Sequence, residues 1–450
     1  MAHLVQGLNM PRAPARVAVI GAGYGGLAAA VELATRGIPV TVFEASRTLG
    51  GRARVVERNG VTLDNGQHIL IGAYRELLRL MAQVGAAPHN HLQRLPLTLL
   101  HPGRLRLQAP RLPAPLHLLT ALITARGLRW EERRGAMRFM RRLRRDGFRL
   151  PADTTVADLL DRAAQPDRLC RYLWEPLCLS ALNTPPQQAS AQVFVNVLRD
   201  SLAAERAASD LLLPRTDLSQ LFPEPAVQYL TRHGGEVLRT TPIHAIRRRH
   251  GGFDLDGDPG RRSFAAVILA VAPYHAPALL GSLPEALFLA QAIAALAHEP
   301  ILTCYLHYRE PVRLPAPMVG GRFAHWLFDR GRLGGPTGLI AGVISAGGAH
   351  EAMGREQITS RMHEDVCALA GALAPPQWSQ VITEKRATFR CLPSLARPGP
   401  ATPIPGLYLC GDYVALDYPA TLESAVRAGV ECARLAAGCP SRPSVLRPAV

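Results

Sequence analysis

Residues 16–46 read RVAVIGAGYGGLAAAVELATRGIPVTVFEAS, and this stretch decides the fold. Residues 17–20 are a short apolar run rich in β-branched side chains, the composition of a strand buried on both faces. Gly21, Gly23 and Gly26 follow in GxGxxG spacing, with Gly25 beside the last. Residues 27–36 have helical character, Gly37 closes the helix, and residues 39–43 return as a second strand ending at Glu44. This is a complete β-α-β unit with an acid at its tip. In such a unit Gly21 permits the tight turn, Gly23 admits a pyrophosphate to the backbone, and Gly26 lets helix and strand pack closely. Phosphates would sit at the positive end of the helix that begins near Gly23. Glu44 would accept hydrogen bonds from ribose hydroxyls. The ligand this pattern fits is a dinucleotide.

Just beyond Glu44 comes LGGR at 49–52. It resembles the GG-R signature of the amine oxidase and phytoene desaturase flavoproteins. That resemblance implies FAD as cofactor, with Gly50, Gly51 and Arg52 against its diphosphate. The other end of the chain carries a second half of the signature. A strand at 406–410 runs into Gly411 and Asp412, and PATLESA at 419–425 enters a helix reaching about residue 437. By the resemblance, Gly411 and Asp412 hold the diphosphate and ribityl chain. Thr421 and Leu422 then lie at a helix N-terminus facing the pyrimidine edge, where backbone N–H groups stabilise negative charge. Ile243 matches the position that touches adenine through its backbone.

Between these ends, residues 64–74 read DNGQHILIGAY. This segment resembles the squalene-associated flavoproteins of hopanoid synthesis, the hydroxysqualene dehydroxylases, a branch near the phytoene desaturases. The superfamily places it near the flavin ring, which makes Gln67 and His68 candidates for that environment. His68, Tyr74 and Tyr418 are the candidate proton donors, with none assigned; His68 could serve only as an imidazolium, and otherwise shapes the loop. The resemblance implies an α/β fold: a Rossmann-type FAD-binding domain with a discontinuous α+β substrate-binding domain. Residues 1–85, 231–275 and 386–450 are assigned to the first, and 86–230 and 276–385 to the second. Trp174, Pro176, Leu177 and Phe194 are expected either as cavity walls or as plain core. Lys385 is a candidate for approaching the flavin, with a solvent-exposed or structural lysine the favoured alternative.

The 450 residues suit two domains. The formal charge is +16 and almost entirely arginine, since Lys385 is the single lysine. Such a field suits an anionic membrane or substrate; no nucleic-acid motif accompanies it. The eight cysteines form no CxxC pair, and no metal site is expected. Residues 1–15 read as a flexible tail rather than a signal peptide. No apolar run reaches transmembrane length. The arginine-flanked apolar positions of 126–149 suggest a helix lying in a membrane interface, or an ordinary solvated basic helix. A cytoplasmic protein, peripheral on the inner face of the membrane, is the expectation.

The reaction the resemblance implies is FAD-dependent reductive dehydroxylation of hydroxysqualene to squalene. Contact with upstream squalene-pathway enzymes would accompany it. An oxidative desaturase of a C30 or C40 isoprenoid is the near alternative and amine oxidation a more distant one. A non-enzymatic flavin-fold partner of isoprenoid enzymes is the third. No Ser-His-Asp arrangement and no aspartate-rich prenyl-transfer motif competes.

Overall fold

The computed structural model describes residues 16–258, 260–414 and 417–439. The expected tail at 1–15 lies outside them. The first sheet has five parallel strands in the order Glu236–Leu238, Val40–Phe43, Val17–Ile20, Ala266–Leu269 and Leu407–Leu409. Three distant parts of the chain therefore supply one sheet. The strands Val17–Ile20, Val40–Phe43 and Ala266–Leu269 are buried at every position, as their unbroken apolar runs require. A three-stranded antiparallel sheet, Ile243–Arg249, Gly252–Gly257 and Gly260–Phe264, packs near it. Phe43 and Phe264 meet edge to face at that junction, 5.6 Å between centroids.

The helix Tyr24–Thr35 is packed against the C-terminal helix Leu422–Ala436. Small residues allow this. A Cβ on Gly25 would lie 2.7 Å from the Ala425 carbonyl oxygen, and one on Gly429 would collide with the Gly25 carbonyl. The two ends of the chain are thus locked together where both halves of the signature lie.

The second large sheet is antiparallel, in the order Met318–Val319, Trp326–Asp329, Leu339–Ser345, His298–His307 and Trp378–Phe389. Its strands alternate. Leu302, Cys304, Leu327 and Ile340 cluster with Ile358, Met362 and Val366 of the helix Arg355–Ala370. Trp326, Phe328, Val343 and Ile301 point instead into a cavity. The period of two thus gives this sheet one face for its own core and one for a ligand.

The hairpin expected around Asn59-Gly60 forms, as Val55–Arg58 paired with Val61–Asp64. Thr155 and Ser190 cap the helices Val156–Arg162 and Ala191–Leu198. The domain boundaries are less tidy than the sequence suggests. Trp378–Phe389 runs unbroken across the expected cut at 385/386. The helix Pro223–Arg232 packs on Tyr24–Thr35, so the return to the first sheet begins before residue 231.

Candidate active site

A cavity of about 840 Å³ runs from the Gly21–Glu44 unit to the inner face of the second sheet. Gly21, Gly23, Gly25, Glu44, Gly50, Gly51, Arg52, Ile243, Gly411, Asp412, Thr421 and Leu422 all line it. Gly21 has φ +107°, and any side chain there would press on the Ala270 carbonyl. Gly23 differs: a Cβ on it would meet nothing within 4 Å. The space over Gly23, at the N-terminus of Tyr24–Thr35, is open to a phosphate, and the backbone N–H groups there have no partners within the helix. Gly26 lies behind this cradle, where a Cβ would collide with the Gly21 carbonyl, so its part is the helix–strand packing.

Glu44 accepts from the Ala22 and Ser46 N–H groups, each at 2.8 Å. Each oxygen keeps a further lone-pair site for a ribose hydroxyl. Arg52 donates to Asp412 at 2.6 Å and to the Ala387 carbonyl at 2.5 Å. Burial works against its charge, but the Asp412 carboxylate outweighs this and raises its pKa. This ion pair joins positions 360 residues apart. Thr421 caps the last helix by accepting from Ser424 N–H. Asp412 and Arg52 would therefore meet the diphosphate region, and the Thr421 helix end the flavin ring. The open space at Gly23 and this donor set fit a flavin dinucleotide.

The 64–74 segment sits at the inner side. Asp64 holds it in place without lining the cavity. Its carboxylate accepts from Leu218 N–H at 2.8 Å and its carbonyl from the Tyr305 hydroxyl at 2.9 Å. Burial pushes its pKa up to about 6, against Arg330 and the Leu218 N–H, which pull it down. Gln67, His68 and Tyr74 do line the cavity. The Gln67 amide is buried with no hydrogen-bond partner on either atom among the described residues. Aimed at a ligand space, it is the polar group there that most needs a partner.

His68 departs from expectation. Its Nδ1 lies 2.8 Å from the Gly66 carbonyl, which can only accept, so Nδ1 carries the proton and Nε2 is an acceptor. Burial lowers its pKa, and Arg52 lowers it further against the Gly66 bond. Both effects favour the neutral ring, which counts against an imidazolium donor at this position. Tyr74 is the other titratable group of this segment on the cavity wall. Burial and Glu423 raise its pKa well above the usual phenol value, so it keeps its proton, with Thr421 pulling the other way. Glu423 fixes this corner. Its carboxylate accepts from Glu76 and Leu77 N–H at 3.1 and 3.0 Å and from Arg427 at 2.7 Å, tying the helix Arg75–Gln83 to Leu422–Ala436.

Tyr418 is also corrected. It does not line the cavity; its hydroxyl is bonded to Asp200 and its ring lies 4.1 Å from the Arg427 guanidinium. Lys385 is exposed on its strand, and the neighbouring Glu384 reaches the cavity instead, held by the Asn65 amide at 3.2 Å. Trp174 and Phe194 are core, with the Trp174 indole bonded to Gln165. Leu179, Ser180 and Asn183 supply that wall, and Ser180 accepts from the Trp326 indole at 2.8 Å. Sequence reasoning passed over Tyr274, Glu384 and Glu423 as functional positions. Only Glu423 carried a signal, in its place within the PATLESA segment.

A family model described as flavin containing amine oxidoreductase matches residues 24–437, and the chain belongs to that family. It is 31% identical to the hydroxysqualene dehydroxylase of Rhodopseudomonas palustris, over 93% of this chain and 97% of that protein. It is 30% identical to the hydroxysqualene dehydroxylase of Sinorhizobium fredii, over 94% and 98%. Among solved structures it resembles a putative protoporphyrinogen oxidase from Exiguobacterium, with a TM-score of 0.64 at 19% identity, over 94% of this chain and 98% of the other. The protein is thus a flavin-dependent oxidoreductase. With a dinucleotide cradle in place, its cofactor is FAD.

Proposed function

We propose that this oxidoreductase removes the hydroxyl of hydroxysqualene reductively, giving squalene and water. The observation that carries the reading is the single cavity that joins the dinucleotide cradle to Gln67, His68 and the apolar face of the second sheet. The two hydroxysqualene dehydroxylases, similar over nearly their whole length, support it.

One C–O bond breaks, one C–H bond forms, and a proton joins the departing hydroxyl to make water. When bound, reduced FAD supplies the hydride for the allylic carbon. The chain supplies the rest. His68 Nε2 accepts from the substrate hydroxyl, and the Gln67 amide donates to its oxygen, which fixes the C–O bond. Tyr74, which lines the same space and holds its proton at neutral pH, is the proposed proton donor, although burial weakens it as an acid. Ile69, Leu179, Trp326 and Phe328 line the space and exclude water. The ring faces of Trp326 and Phe328 favour the positive charge that grows at carbon as the hydroxyl leaves.

A C30 chain has little reason to cross water. We therefore place the protein at the anionic inner face of the cytoplasmic membrane, beside the enzymes that furnish its substrate.

The test is product analysis. FAD-loaded protein, photoreduced without oxygen and given hydroxysqualene, should yield squalene. Oxidised protein given squalene should form no conjugated double bonds. Polyene from the oxidised form would replace this reading with that of a desaturase.

A further inference from the structure

We infer that the exposed face of the helix Leu116–Thr124 is a docking surface for an anionic lipid bilayer, with the helix Trp130–Arg145 as its charged rim. The inference sharpens the membrane placement above and rests on that reading only for the substrate that would use the route.

Leu116, Leu119 and Ile123 are 48%, 40% and 42% exposed. Their spacing of three and then four puts them on one side of the helix. Leu112 before it and Trp130 after it extend the same apolar exposure, at 38% and 50%. The opposite side buries His117 and Ala121. The face is held rigidly. The Arg133 guanidinium donates to the Ile123 and Ala125 carbonyls at 2.5 and 2.7 Å, closing the C-terminal end of the helix against its arginine-rich neighbour. That neighbour buries Gly135, Ala136, Phe139 and Leu143, so its apolar side is spent on the core and cannot insert.

The charge identifies the occupant. Residues 111–149 hold eleven arginines against three acids, an excess of eight, which is half of the chain's +16. One of the acids, Glu132, is buried and spent on the Arg129 N–H at 2.6 Å. Arg134 lies 5.5 Å over the Trp130 ring, and Arg138, Arg141, Arg142 and Arg145 are exposed beyond it. Apolar side chains ringed by cations match acyl chains beneath anionic headgroups. A second copy of the chain would set like charge against like. Among the described residues no helix is long and apolar enough to cross a membrane, so the contact is interfacial.

The chain behind the surface leads toward the segment that carries His68. Its buried His117 is within electrostatic reach of Arg206 and Asp210. Ala208 and Asp210 accept from Ala73 and Gly72 N–H at 3.0 and 2.9 Å. Gly72 and Ala73 lie three and four residues beyond Ile69 of the cavity wall.

Flotation of the FAD-loaded full chain tests this, with vesicles of phosphatidylcholine alone and of an equal mixture with phosphatidylglycerol. Wild type should float with the mixture, and salt should release it. The L116S/L119S/I123S variant should bind about a hundredfold more weakly. The R138Q/R141Q/R142Q/R145Q variant should lose at least about tenfold, on the anionic vesicles only. F288S, in a separate exposed patch of Leu287 and Phe288 with no arginine in its helix Leu287–Ala294, should bind as wild type. Serine variants that float normally would overturn the proposal, as would loss in F288S alone. A wild-type dimer that the serine variant splits would also overturn it, by making the face a contact between copies. Flotation needs no turnover. Protein that floats but leaves hydroxysqualene unchanged would fail the reaction and leave the surface standing.

Discussion

At the outer end of the cavity Arg52 and Asp412 lie 2.6 Å apart, and Glu44 has both carboxylate oxygens engaged by backbone N–H groups. At the inner end, among the described residues, Gln67 has neither amide atom engaged, and His68, bonded through Nδ1 to the Gly66 carbonyl, lines the space. The first region is finished by its own chain and needs only a phosphate and a ribose to complete it. The second is left incomplete, and only a ligand can satisfy it. The difference separates what holds the cofactor from what selects the substrate.

Arg52→Met should break the outer end most severely. It strands the Asp412 carboxylate, and losing one partner of a buried pair costs about 3–5 kcal/mol, the lower figure suiting a pair with some exposure. Flavin affinity should fall about a hundredfold or more, measured as flavin retained on desalting and by titration of the stripped protein. Flavin held as in wild type would remove this pair from the cradle.

Asp64→Asn probes the junction of the two regions. The folded carboxyl has its pKa raised to about 6, against 3.8 ordinarily. Its contribution is therefore fully present below pH 3.8 and is lost as pH rises through about 6. Asparagine cannot ionise, so the stability of the variant relative to wild type should climb between pH 4 and 7 by about 3 kcal/mol. Denaturant melts across that range would show it; parallel curves would mean that Asp64 ionises freely in the fold.

Tyr74→Phe addresses the inner end alone. It should slow turnover about a hundredfold while leaving flavin affinity as it was. Full activity in this variant would move the donor elsewhere. The smallest effect is a flat one. Because His68 is held neutral, the wild-type rate should hold steady as pH rises from 7 to 8, whereas an imidazolium donor would lose activity about tenfold per unit.

The same division explains what was legible in the sequence. Gly21, Glu44, Arg52 and Asp412 act through backbone geometry and fixed charge at set spacings, so a motif reports them wherever the chain carries it. Gln67, His68 and Tyr74 were found because one segment holds all three. The protonation of His68 was not legible, since it depends on Gly66 and on burial that only the fold creates. Tyr418 was misplaced because its hydroxyl finds Asp200, 218 residues away. Lys385 is exposed, as the favoured reading had it, but Glu384 was passed over, because adjacent residues on a strand face opposite ways and the sequence does not say which way is inward. The arginine-rich segment was read correctly as a basic helix. Its apolar side proved to be core, and the exposed leucines lie one helix earlier.

The central claim is that the inner end removes a hydroxyl at the expense of electrons held in the cradle. Rapid anaerobic mixing of the photoreduced, FAD-loaded protein with hydroxysqualene tests it directly, by following flavin absorbance and quenching for product. The account predicts that oxidised flavin returns in step with squalene, one molecule per flavin. Flavin that stays reduced while hydroxysqualene persists, or oxidised protein that bleaches on mixing with squalene, would contradict it.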